Sequence, residues 1–212
     1  LQLQLLQYLM DLNFYKLHQL RGHKMVVPDW SFFDYPWEIL ESSENGLISQ
    51  ISKLSGVGVH IHQSSKIGDN VEIESPCFIG PNAQIRHGAY LRSGCWISEG
   101  AVVGHSTEVK NSILLPGAKA PHFNYVGDSI MGFGSNIGAG VKLSNVRNDK
   151  RNVRLELSDG TFIDSGSRKL GALIGDKSML GCNAVTNPGT IIPPFASISP
   201  NMTISGWFEA KS

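Results

Sequence analysis

The sequence has few aromatic residues, 8%, and only three cysteines in 212 positions. Cys77, Cys95 and Cys182 form no C-x-x-C pair and no even set, which excludes the disulfide framework of a small secreted domain. They read as small buried residues in a reducing compartment. No apolar run approaches the roughly 20 residues that a spanning helix needs, and no charged-apolar-small leader opens the chain. The expected compartment is therefore the cytoplasm. Charge of one sign is also lacking, with 18 Lys and Arg against 18 Asp and Glu. No global field gathers nucleic acid or anionic lipid, so any anionic ligand must be held by a local cluster.

What the chain has in quantity is turn residues, 23 glycines and 10 prolines, more than a helical bundle tolerates. They accompany a repeat. An aliphatic residue recurs every six positions at Ile61, Ile67, Ile73, Ile79, Ile85, Leu91, Ile97, Val103, Val109 and Leu115. Four residues after most of these stands a small or modest side chain, as at Ser65, Val71, Cys77, Ala83, Ala89, Cys95, Ala101 and Thr107. A period of six fits neither the 3.6 of a helix nor the 2 of a single strand, but it fits short strands separated by tight turns. Three such strands close a triangular coil of 18 residues, and the next coil stacks about 4.8 Å above it by strand pairing. The spacing predicts an all-β chain: a left-handed parallel β-helix of hexapeptide repeats, with a short helical N-terminal segment.

The frame breaks after Leu115 and resumes at Met131, Ile137 and Leu143; it breaks again near Asn148 and returns at Ile174, Leu180, Thr186, Ile192, Ile198 and Ile204. This predicts about six coils over residues 53–212 with loop excursions at 119–130 and 149–173, the places where a rigid scaffold tends to carry function. Residues 1–52 read as a helical cap and linker. Within them, 1–20 read as an amphipathic helix, a helical turn is expected around Trp37 to Glu41, and the segment is expected to shield the open end of the coil.

Positions 18 apart lie above one another. Arg92 and Lys110 are such a pair, both pointing outward, and two stacked cations are relieved by an anion between them, a phosphate above all. Two solvated surface cations are the alternative. His122 lies in the first excursion beside this pair, and histidine is the residue type suited to take a proton from an attacking amine. His87 and His105 are also 18 apart and invite a metal reading. The H-x-x-x-x-H spacing that would complete it is absent from the repeat and occurs only at His18 and His23, so no metal is predicted. His60 and His62 read as surface residues. No nucleophile elbow or phosphate-binding loop is present.

Residues 79–146, above all the order Arg92, Lys110, His122, Tyr125, Gly127, Asp128 and Asn136 through Gly140, resemble a known family. It is the acetyltransferase domain of the bifunctional glucosamine-1-phosphate acetyltransferases and N-acetylglucosamine-1-phosphate uridylyltransferases. The stretch from Asn145 through Ser165–Ala172 to Asp176, and Tyr35–Leu40 ahead of the repeat, are similar to the archaeal-type members. The resemblance implies acetyl-CoA as cosubstrate, no metal for the acetyl transfer, a homotrimer with sites between neighbouring prisms, and a place in UDP-N-acetylglucosamine biosynthesis for the cell envelope. It implies His122 as general base, Arg92 and Lys110 holding the sugar phosphate, Tyr125 and Asn136 positioning the sugar, and Asn145 near the reacting amide. Arg151 and Arg154 would extend the anion site. Ala139, Asn145, Val146, Cys182 and Pro200 would meet the coenzyme.

The large nucleotidyltransferase domain of these relatives, with its Gly-rich loop, is not in this sequence, so no UDP-sugar synthesis by this chain alone is expected. Nor is there a basic tail before Ser212 for the coenzyme phosphates. Two other readings stand beside the first. One is acyl transfer to another amino sugar or nucleotide sugar. The other is a non-catalytic trimeric scaffold that recruits a separate uridylyltransferase.

Overall fold

The computed structural model describes residues 26–55 and 58–209, and in it the chain winds into a parallel β-helix. Three walls of seven strands each make a triangular prism. The first wall runs from Val59–Ile61 to Thr190–Ile192, the second from Lys66–Ile67 to Ser197–Ile198, and the third from Glu72–Ile73 to Thr203–Ile204. The predicted aliphatic residues stack in register, Ile61 against Ile79 and Ile79 against Ile97, and fill the prism with one continuous core. Cys77 and Cys95 are register partners inside that core, and burial pushes the Cys95 thiol well up. The turn residues sit where the walls meet. One corner carries Asn82, Gly100, Gly117 and Gly134 in the left-handed backbone region, which glycine and asparagine enter at little cost.

The coils number seven among the described residues, not about six, because residues 119–130 do not leave the scaffold. Lys119–His122 pairs in parallel with Val102–His105, and Tyr125–Gly127 pairs with Glu108–Lys110. Two one-residue shortenings hid this. The inward residue after Val109 is Leu114, paired with Ile97, rather than Leu115, and Met131 follows Val126 after five residues. The inward position between Leu114 and Val126 is Ala120, a methyl group too small to read as part of an aliphatic series.

The second interruption does leave the prism. Its neck is the bridge between Val146 and Lys169, reinforced by the bond from Leu170 N to Asn145 O at 3.0 Å, slightly ahead of 149–173. Beyond the neck, Arg154–Glu156 and Phe162–Asp164 form an antiparallel hairpin.

A second core lies outside the prism. The residue preceding the inward one on each strand of the first wall faces outward, and these form a ladder: His60, Phe78, Trp96, Ile113, Ile130, Leu173 and Ile191. The Phe78 and Trp96 rings stack at 4.3 Å. The ladder is covered by Trp37, Ile39, Leu47 and Ile51 from the N-terminal segment and by Val153, Leu155 and Leu170 from the insertion. The described part of the N-terminal segment therefore lies along a side wall and leaves the end of the first coil uncovered, where Ile61 and Ile67 are exposed. It packs there because one face of its helix, Leu47–Ser55, is apolar and the first wall offers the matching strip. That helix runs through the 52/53 boundary, and residues 1–20 lie outside the described residues. Among the described residues no helix is long and apolar enough to cross a membrane.

Trp96 is fully buried in this outer core, so Trp96→Ala should lower unfolding stability by about 3–5 kcal/mol. Denaturant titration checks this, and a loss below about 1 kcal/mol would show that the sheathing of the first wall contributes little.

Candidate active site

The corner between the second and third walls stacks one residue per coil. Backbone bonds run from Ser106 N to His87 O, Phe123 N to His105 O, Gly140 N to His122 O, Asn183 N to Ala139 O and Asn201 N to Cys182 O. The column therefore reads His87, His105, His122, Ala139, Cys182, Pro200. Sequence reasoning had these last four in two separate roles; the coil pitch puts them in one line. Cys182 is exposed on that line, unlike the two core cysteines, so the expectation that all three are buried holds for two. His122 is exposed. Its backbone is fixed by Asn124, a buried residue whose Oδ1 accepts from His122 N at 3.0 Å and whose Nδ2 donates to Gly138 O at 2.7 Å. His87 and His105 stack at 5.5 Å, and His105 Nδ1 lies 2.9 Å from His87 O. His60 stacks on Phe78 at 5.0 Å and is half-buried, where the sequence suggested a surface position; His62 is half-buried too and pairs with Ser64. Among the described residues no three His, Cys, Asp or Glu side chains group to hold a metal ion.

Phe123, next to His122, has φ +53 and is 56% exposed. Its corner column is otherwise Asn70, Gly88, Ser106, Gly140, Asn183 and Asn201, so a phenylalanine there costs on the order of 1 kcal/mol. The ring sets its edge toward His105 at 5.4 Å and walls a cleft of about 460 Å³. Glu108, Tyr125, Lys142, Asn145 and Val146 also line that cleft with Asn124, and His122 is the residue that precedes this Phe123–Asn124 edge without lining it.

At the far edge of the third wall, Asp128 organises the polar groups. It is almost wholly buried and accepts from Lys110 Nζ at 3.2 Å, from Asn111 Nδ2 at 2.9 Å and from Asn145 Nδ2. Tyr125 reaches along its own strand to Asn145 Oδ1 at 3.5 Å. It can do so because Gly127 lies beneath it: a Cβ there would come within 2.6 Å of the Tyr125 hydroxyl and 2.8 Å of Asn145 Nδ2. Burial first, then the carboxylates of Asp128 and Glu108, hold the Tyr125 phenol above its ordinary range, so it remains a proton donor.

The cation pair differs from expectation. Arg92 and Lys110 sit on adjacent coils as predicted, but each has its own carboxylate: Arg92 pairs with Glu108 at 3.1 Å and Lys110 with Asp128 at 3.2 Å. Mutual repulsion is thus relieved within the chain, and the argument that an anion must sit between them falls. The Arg92–Glu108 pair is more than a third exposed on both sides and is cheap to open. Asn136 lies on the second wall, between Lys119 and Met179, and does not share the cleft with Tyr125. Arg151 is exposed beside Asp149, whose carboxyl Arg147 first, and the Arg151 backbone second, hold well below the usual range. Arg154 stacks over the Phe162 ring at 4.8 Å on the hairpin, away from the cleft.

With this geometry in hand, comparison with known proteins is informative. Residues 73–207 match the model of the GMPPB C-terminal domain. The chain belongs to this family. The domain is 34% identical over 207 residues to a bifunctional sugar-1-phosphate nucleotidylyltransferase/acetyltransferase of Sulfurisphaera tokodaii, covering 87% of this chain and 49% of that protein. It is 33% identical over 211 residues to the bifunctional protein GlmU of Methanococcus maripaludis strain C5, covering 93% and 49%. It therefore spans about half the length of these relatives. An uncharacterized acetyltransferase of Escherichia coli K12, YaiX, is 33% identical over 200 residues, covering 84% of each chain. Among solved structures, PerB of Caulobacter crescentus, in complex with CoA and GDP-perosamine, overlaps 69% of this chain and 53% of its own at 14% identity, with a TM-score of 0.39.

Asp128 is the side chain that sequence reasoning underrated. Asp128→Ala would leave the Lys110 ammonium and the Asn145 amide without their acceptor, while the Asn111 amide keeps Leu40 O at 3.0 Å. It should cost about 3 kcal/mol of stability, held down by the solvent access of Lys110. Thermal unfolding checks this, and an unchanged midpoint would remove Asp128 from its organising place.

Proposed function

We propose that this domain is an acetyl-CoA-dependent N-acetyltransferase whose acceptor is an amino-sugar phosphate, glucosamine-1-phosphate first and galactosamine-1-phosphate second. The observation that carries the reading is the division of labour across one wall. Phe123 and Asn124, which follow the exposed His122, line one edge of the cleft; Asn145 lines it farther along and is bonded to Asp128, the partner of Lys110; and the column that contains His122 continues through Ala139, Cys182 and Pro200 as a path for the pantetheine arm. From Tyr125 to Asp128 is three residues of strand, roughly 10 Å, comparable to the span of a hexosamine phosphate. The names of the bifunctional relatives support the same substrate class.

His122 takes one proton from the sugar ammonium and passes it to solvent. The freed amine attacks the thioester carbonyl, the C–N bond forms, and the C–S bond breaks with its electron pair on sulfur. The amine sheds its second proton, which the departing sulfur takes up to leave as the coenzyme thiol. Arg92 opens its exposed pair to hold the phosphate together with Lys110, Tyr125 and Asn145 orient the sugar ring, and Val146 borders the phosphate end of the cleft. Arg151 extends the anion site from the insertion. A site that also uses Asn136 needs a second copy, because that residue faces out of the neighbouring wall; the assembly proposed is a trimer, in the cytoplasm, where both substrates are made.

Thiol release from acetyl-CoA with each sugar phosphate tests the reading. His122→Ala should lower kcat by on the order of 10² to 10⁴ fold, and equal rates would sink the mechanism. Arg92→Ala should raise KM for the sugar phosphate with little change in kcat; an unmoved KM refutes the clamp. Absence of thiol release by the wild type with either sugar would favour the scaffold reading.

A further inference from the structure

Beyond the phosphate end of this wall lies a second cleft, of about 620 Å³, which the proposed acetyl transfer does not use. It opens between the N-terminal segment at Leu40 and Glu41, the prism corner at Asn111 and Asp128, and the neck of the insertion at Val146, Lys150 and Gly166–Lys169. Two contacts join it to the first cleft. Val146 lines both, and Asp128 here is bonded to Asn145 there.

Its charge is unbalanced. Lys150, Arg168 and Lys169 are all exposed, and none of them is in an ion pair among the described residues. Of the two acids on the lining, Asp128 is already committed to Lys110. Glu41 is the other, and burial first, then the charge of Glu38, push its carboxyl up. Three uncompensated cations therefore face one carboxylate, in a concavity of the size that ordinary small ligands occupy. A phosphate entering the cleft meets these donors from both sides of the insertion neck, and such groups are suited to hold it.

We infer that this cleft binds the second phosphate and the nucleoside of a nucleotide-linked amino sugar, so that the acceptor of the domain extends past the sugar-1-phosphate. The inference rests on the acetyl-transfer reading for its orientation. With the amine at His122 and the first phosphate at Lys110, the next phosphate and the nucleoside leave the wall at the corner where Lys150, Arg168 and Lys169 converge. The pyrophosphate of coenzyme A has the same chemistry, but the coenzyme column runs from the opposite edge of the third wall. The chemistry at the amine is unchanged, and the nucleotide only anchors.

The test uses the full chain and the variant Lys150→Gln, Arg168→Gln, Lys169→Gln. Wild type should acetylate UDP-glucosamine. The variant should raise KM for that substrate at least ten-fold while kcat, KM for glucosamine-1-phosphate and KM for acetyl-CoA stay within about two-fold. A rise in KM for glucosamine-1-phosphate of the same size would overturn the inference in favour of a simple phosphate site, and a rise confined to acetyl-CoA would assign the cluster to the coenzyme. Calorimetry with UDP separates this inference from the activity. UDP binding that the triple variant abolishes, with no thiol release by the wild type, would keep the cleft and discard acetyl transfer. Failure of UDP to bind the wild type would discard the cleft whatever the activity.

Discussion

Registered parallel pairing, with each coil set directly on the one before, is the constraint on which the molecule depends. It turns a sequence interval into a position in space. Residues one coil apart, 17 or 18 in the repeat and 43 across the insertion, share a column, and past the exposed first coil each column keeps one character, core, corner or surface. The inward columns are aliphatic because they have no alternative to burial, and the corner columns collect glycine and asparagine because the chain must turn there with φ positive. Function is assigned by the same rule. The column holding His122 continues through Ala139, Cys182 and Pro200 only because the coils above it keep step.

The insertion shows how a departure from the repeat is put to use. It leaves at Val146 and rejoins at Lys169, and the bond between Asn145 O and Leu170 N ties its neck to the residue that also touches Asp128 and Tyr125. Past the neck, Val153, Leu155 and Leu170 complete the outer core over the first wall. One segment therefore fixes Asn145 on one side and covers apolar surface on the other, which couples the geometry of the cleft to the packing of the hairpin.

Much of this was legible in the sequence, and the failures have physical causes. Ten aliphatic positions in step are enough for the prism. They lose the frame at residues 119–130 because Ala120 is small, because Leu114 rather than Leu115 turns inward, and because Phe123 stands at a corner where a glycine or asparagine would have marked the turn. The outer core left a signal that the inward period overshadowed: the large apolar residue just before the inward one on every third strand, as at Phe78, Trp96 and Ile130. The 18-residue spacing placed Arg92 and Lys110 on one face, yet the carboxylates that neutralise the two cations come from neighbouring columns and are invisible to a search along a single one. Lys150, Arg168 and Lys169 come together through a loop without register, so nothing in their spacing announces the cleft they share.

The sheathing of the first wall bears on how copies of the prism can meet. A triangular rod bare on every side could tile in a plane without end, each face repeating the same contact. With one side covered by the N-terminal segment and the insertion, only the second and third walls remain open among the described residues, and these two converge at the corner that carries His122. Wall-to-wall contact with another copy is therefore left to the second and third walls. The tryptophan and aliphatic side chains that hold the sheath in place thereby take one face of the prism out of that choice, far from the residues that would do chemistry.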